Sequence, residues 1–114
     1  MNLSSDTADD ALVVRVNEDR IDAAVAIQFK DRMSDLIGAD AGRVILDLSK
    51  VTFVDSSGLG AIVAVMKLLA PARQLELAAL TPNVSKVFHL TRMDSVFPIH
   101  PCAPEGAKGS GNAL

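Results

Sequence analysis

Aromatic side chains are scarce in this chain. Only 4% of its 114 residues are aromatic: four phenylalanines, with no tryptophan and no tyrosine. The core must therefore be assembled from Val, Leu, Ile, Ala and Met, and stacking of single-stranded bases on aromatic platforms is disfavoured. Lys and Arg form no run and the net charge is -3, so the electrostatic footprint of a nucleic-acid-binding protein is absent. A single cysteine, Cys102, leaves no internal disulfide and fits a reducing compartment. The longest apolar stretch, Gly58 to Leu69, is broken by Lys67 and is too short to span a bilayer. Met1 to Asp6 lacks the basic and apolar regions of a signal peptide. These absences set the expectation of a soluble, cytoplasmic protein without direct membrane insertion.

Catalytic signatures are missing as well. There is no G-x-S-x-G elbow, and only His89 and His100 are available as a base. Gly58 and Gly60 follow a strand but lack the third glycine of a dinucleotide fold and the lysine of a phosphate-binding loop. His100-Pro101-Cys102 has no second ligand pair at helical spacing, so a zinc site is not expected. The chain reads as a non-enzyme that needs neither metal nor cofactor.

What is present is a compact apolar pattern. Hydrophobic residues make up 49% of the chain, enough for the core of one domain. Leu12 to Val16 predicts a strand, and Leu3 a short edge strand before it, with Asp6, Asp9 and Asp10 as a solvated lead-in. Asp22 is a good N-cap for a helix whose stripe is Val25, Phe29, Met33, Leu36 and Ile37, ending at Gly38 or Gly42. Arg43 to Leu48, nearly all apolar, predicts a central strand covered on both faces. Leu59, Ile62, Val63 and Met66 recur at helical spacing in a helix that stops before Pro71. Gln74 to Leu80 predicts a strand, Thr81-Pro82 opens a third helix, and Ser95 to Ile99 closes with an edge strand marked by Pro98. This alternation implies an α/β domain with a largely parallel sheet, whose partners meet the loops at the strands' carboxyl ends. The domain is expected to span residues 1–101. Residues 102–114, rich in Gly, Ala, Ser and Pro, form a dispensable flexible tail.

The most informative stretch is Val54-Asp55-Ser56-Ser57-Gly58-Leu59-Gly60, where a strand runs directly into a helix. Either serine can cap that helix. Two glycines in a first helical turn, each costing about 1 kcal/mol against alanine, suggest that something approaches the bare backbone. Asp55 can cap the helix, repel an unwanted approach or orient the Ser56 hydroxyl. Asp47 interrupts an apolar strand and needs partners, which loop N–H groups can supply. Leu59 falls on the apolar stripe, so packing is its first role, and His89 sits at an ordinary place near a helix C-terminus.

Val44-Ile45-Leu46-Asp47-Leu48-Ser49 followed by Val51-Thr52-Phe53-Val54-Asp55-Ser56-Ser57-Gly58-Leu59-Gly60 resembles the signature of the STAS domain. That family includes anti-sigma factor antagonists and the cytoplasmic ends of sulphate transporters; the resemblance extends from about Leu12 to Ile99. It implies a four- or five-stranded mixed, mostly parallel sheet flanked by helices. In the antagonist branch it further implies that Ser56 is the phosphoacceptor and Ser57 the structural cap. Asp22, Asp55, Ser57, Gly58, Leu59 and Gly60 would then form the partner-binding surface. The implied partners are an anti-sigma factor that is also a serine kinase, and a PP2C-type phosphatase. The other branch implies an accessory or scaffold subunit of a membrane transporter or signalling complex, without a phosphoswitch. The chain departs from the family at Glu18-Asp19-Arg20-Ile21, which lacks a glycine usual there, so the loop around Asp22 is expected to carry its own specificity. Pro71-Ala72-Arg73 likewise replaces glycines common in that turn.

Overall fold

The computed structural model describes residues 1–38 and 42–104. Strands β1 (Leu3–Ala8) and β2 (Ala11–Val16) form an antiparallel hairpin. A short β3 (Arg20–Ile21) leads to helix α1 (Ala26–Ile37), then β4 (Arg43–Asp47), β5 (Phe53–Val54) and helix α2 (Ser56–Leu69). The chain continues through β6 (Gln74–Ala78), helix α3 (Pro82–Leu90), a 3-10 turn (Met93–Ser95) and β7 (Ile99–His100). The main sheet has the order β1-β2-β4-β6-β7, all parallel except the β1 edge, and β3 pairs β5 in a separate parallel ribbon. The expected α/β class and mostly parallel sheet are present, with five strands.

Four local expectations require correction. Asp9 and Asp10 are no lead-in: both adopt positive φ (52° and 64°) between β1 and β2, the backbone that a two-residue hairpin turn needs. They make Leu3 the start of a full strand. Asp22 does not cap α1, which begins after Val25 without a side-chain cap; its carboxylate instead accepts from Ala24 N–H at 3.1 Å in the preceding turn. The final strand begins after Pro98, which has no N–H to give a ladder, and the Pro98 carbonyl accepts from Leu77 N–H at 2.9 Å. The buried face of α2 is Gly58, Ala61, Ile62, Val65 and Leu69, offset from the expected stripe, with Leu59, Val63 and Met66 only partly buried at its margin.

All three helices press onto one side of the sheet. Phe29, Met33, Ile62, Val65, Val84 and Phe88 join Val14, Val44, Leu46, Leu75 and Leu77 in one core. Among the described residues no helix residue belongs to the cluster on the opposite face, which contains Ala8, Ala11, Val13, Ile45 and Ala78. The central strand β4 is buried on both faces, as expected, with the helices supplying the cover on one of them. Ala103 packs on this second cluster, so packing continues beyond residue 101. The rest of the expected tail, 105–114, lies outside the described residues. Ending the chain after Pro101 should lower the melting temperature by about 2–4 °C relative to ending it after Pro104, because the second cluster loses Ala103. Paired thermal melts check this.

The second face also carries buried carboxylates. Asp47 accepts from Ser49 N–H at 2.9 Å and lies 3.6 Å from Arg15 Nε, so a loop N–H does satisfy it. Glu76 is held by a two-pronged Arg43 guanidinium (2.9 and 2.8 Å) and by His100 Nε2 at 2.7 Å. Arg43, and to a smaller extent His100, lower the Glu76 pKa to about 2. The folded value lies below the unfolded one near 4.5, so this contribution is complete above pH 4.5 and disappears as pH falls toward 2. Arg43 is 42% exposed and screened, which reduces the net contribution to about 2 kcal/mol. Glu76→Gln should lose that amount at pH 7 and differ little from wild type near pH 2. Urea titrations at the two pH values test the sign.

Candidate functional site

The site is built from two loops that the β3–β5 ribbon holds together. Arg20 pairs with Phe53 and Ile21 with Val54, and Thr52 N–H donates to the Asp19 carbonyl at 2.8 Å. Parallel pairing places the residues that follow side by side, Asp22 in the turn before α1 and Asp55 at the N-cap of α2. These two-residue strands are too short to show a period, yet they set the geometry of the whole site.

Asp55 is the hinge of the arrangement. It is the N-cap of α2, its Oδ1 accepting from Gly58 N–H at 2.8 Å, while Oδ2 accepts from Ala23 N–H at 3.1 Å across the loop boundary. One carboxylate thus caps one helix and ties down the approach to the other. Backbone donation, from Gly58 first and then Ala23 and Ser57, lowers its pKa below the usual carboxylate value, so it is ionised at neutral pH. Of the roles open to Asp55, capping is the observed one. The structural-cap role expected of Ser57 is therefore corrected: the cap is Asp55, and both Ser56 and Ser57 are exposed in the first turn of α2.

The two glycines separate into different roles. Gly58 is buried, and a Cβ there would lie 2.7 Å from the Ile21 carbonyl carbon and closer still to its oxygen. The close approach read from the sequence is, at Gly58, the chain's own β3. Gly60 is exposed, and a Cβ there would meet nothing within 4 Å, so packing within the chain does not demand glycine. Leu59 is half-buried and packs against the core margin, consistent with a packing role. Asp22 accepts from Ala24 with one oxygen and lies 3.6 Å from Arg20 Nη1 with the other.

Ser56, Ser57, Gly60, Asp22 and Asp55 therefore share one end of the fold, with Gly58 beneath them. The sequence reading missed Ala23, Arg20 and Phe53. Arg20 Cζ sits 5.2 Å from the Phe53 ring centroid, and Phe53 is 45% exposed. An exposed aromatic residue in a chain so poor in aromatics was the available signal. His89 pairs with Asp94 at 2.9 Å, and His100 is occupied by Glu76. Among the described residues no group of three or more His, Cys, Asp or Glu is placed to hold a metal ion, and no helix is long and apolar enough to cross a membrane.

Comparison with known proteins converges on one family. The BtrV protein of Bordetella bronchiseptica, named provisionally as an anti-sigma factor antagonist, is 29% identical over 87% of this chain and 85% of its own. An anti-sigma factor antagonist from Mycobacterium paratuberculosis superposes with a TM-score of 0.77 at 24% identity, covering 99% of this chain and 92% of the other. SpoIIAA from Bacillus, solved in its phosphorylated form, superposes at 0.61 with 20% identity over 97% of both chains. Its unphosphorylated form, described as an anti-sigma factor antagonist, superposes at 0.68 with 20% identity over 97% and 94%. The same fold makes up 16% of the murine Slc26a9 anion transporter, which matches 82% of this chain with a TM-score of 0.73 at 19% identity. The STAS domain matches residues 2–105, nearly the whole described structure, and the chain belongs to the STAS domain family.

Proposed function

We propose that this chain is an anti-sigma factor antagonist that exchanges partners according to the phosphorylation of Ser56. The observation that carries the reading is an exposed Ser56 at the first position of α2, directly after a capping carboxylate. A structural neighbour that has been solved both phosphorylated and unphosphorylated supports it. Unphosphorylated, the chain binds an anti-sigma factor that is also a serine kinase and so releases the sigma factor. The kinase binds ATP and transfers its γ-phosphoryl group to the Ser56 hydroxyl, and the chain itself contributes no catalytic group. A PP2C-type phosphatase restores the hydroxyl. Asp22, Ser57, Leu59 and the bare backbone of Gly60 form the contact surface around Ser56, with Asp55 and Gly58 fixing its shape.

Phosphorylation of the purified chain by its anti-sigma factor kinase, with the site mapped by mass spectrometry, tests the reading. One phosphate on Ser56, and none on Ser56→Ala, is the expected result. An unmodified chain that instead co-purifies with a membrane transporter would favour the accessory-subunit alternative.

A further inference from the structure

We infer that Phe53, held in place by Arg20, is the anchor on which the anti-sigma partner seats an apolar side chain bordered by basic groups. The inference rests on the partner-switching reading and adds to it a specificity residue. Of the four phenylalanines, Phe29 and Phe88 are fully buried and Phe97 is 4% exposed, whereas Phe53 is 45% exposed. Its backbone is pinned on both sides: Phe53 pairs with Arg20, Thr52 N–H donates to Asp19, and Asp55 N–H reaches the Ile21 carbonyl at 3.4 Å. The Arg20 guanidinium covers the ring at 5.2 Å and is itself steadied by Asp22. A ring fixed before binding loses little freedom on binding, and aromatic residues with arginine dominate the energetics of protein interfaces.

Position and charge identify the occupant. Side chains alternate along a strand, so Phe53 projects on the side of Asp55, and Arg20 on the side of Asp22. Phe53 thus continues the surface that ends at Ser56. Asp19, Asp22 and Asp55 outnumber Arg20 on this surface, so it complements a basic rim and repels a second copy of the same chain.

Calorimetric titration with the purified kinase that phosphorylates the chain tests the inference. Phe53→Ala should weaken binding about 30-fold and Phe53→Tyr, which keeps the ring, less than threefold. Arg20→Ala should cost about fivefold alone and almost nothing once Phe53 is gone, because it acts by positioning the ring. Melting temperatures of all four variants should stay close to wild type. Binding of Phe53→Ala within threefold of wild type would overturn the anchor while leaving the phosphoswitch intact; failure of wild type to bind any such kinase would overturn both.

Discussion

Gly58→Ala should lower the melting temperature by about 15 °C, a loss of roughly 3 kcal/mol for a domain of this size. Helix propensity alone predicts the opposite, since alanine gains about 1 kcal/mol over glycine inside a helix. The steric term outweighs it. The new methyl would overlap the Ile21 carbonyl, a backbone group pinned by β3–β5 pairing, so no flexible side chain can move to admit it. Either α2 or β3 must shift, and the Asp55 bond to Ala23 spans that junction. Gly60→Ala, where the added methyl meets open space, should instead raise stability by about 1 kcal/mol. Thermal melts of the two variants form a matched pair with opposite signs, and a Gly58→Ala protein as stable as wild type would contradict the packing described.

Ser56→Asp should fold like wild type and bind the anti-sigma partner about a hundredfold more weakly, a penalty near 3 kcal/mol. The helix tolerates the charge, because the positive end of the α2 dipole lies beside it. Gly58 N–H in that first turn is not free, because it already donates to Asp55. A phosphate on Ser56, carrying about -1.5 to -2 charges, should therefore point outward rather than be absorbed into the helix end. It would add to the ionised Asp55 and to Asp22 on the proposed contact surface. Ser56→Ala should bind normally and resist phosphorylation. Circular dichroism with calorimetry separates the two halves of the prediction, and a misfolded Ser56→Asp would show that the switch acts through the fold rather than the surface.

Much of this was legible in the sequence because the elements concerned carry their own signals. β2 and β4 are largely apolar runs, β6 alternates polar and apolar residues, and Thr81-Pro82 marks the start of α3 even though Thr81 Oγ1 donates to the Val51 carbonyl at 2.6 Å rather than capping. The Asp55-Ser56-Ser57-Gly58 junction was legible through its family signature. The rest depended on distant parts of the chain. β3 and β5 are strands only because each has the other, and two residues cannot show a period. Asp9-Asp10 adopts a turn that glycine or asparagine usually announces. The sequence leaves the cap ambiguous because Asp55, Ser56 and Ser57 are all good capping residues; the backbone angles of Asp55 (φ -95°, ψ -175°) and its bond from Gly58 N–H decide among them. Gly58 shows the limit most clearly: glycine signalled a close approach, and three-dimensional packing alone revealed that β3 makes it.

The central claim is that one phosphate on Ser56 changes affinity without changing the fold. The most direct test is calorimetric titration of one anti-sigma factor kinase with the chain before and after stoichiometric phosphorylation, without ATP. The account predicts a loss of at least about a hundredfold in affinity, with the two forms giving superimposable far-ultraviolet spectra. Equal affinity for the two forms would contradict it.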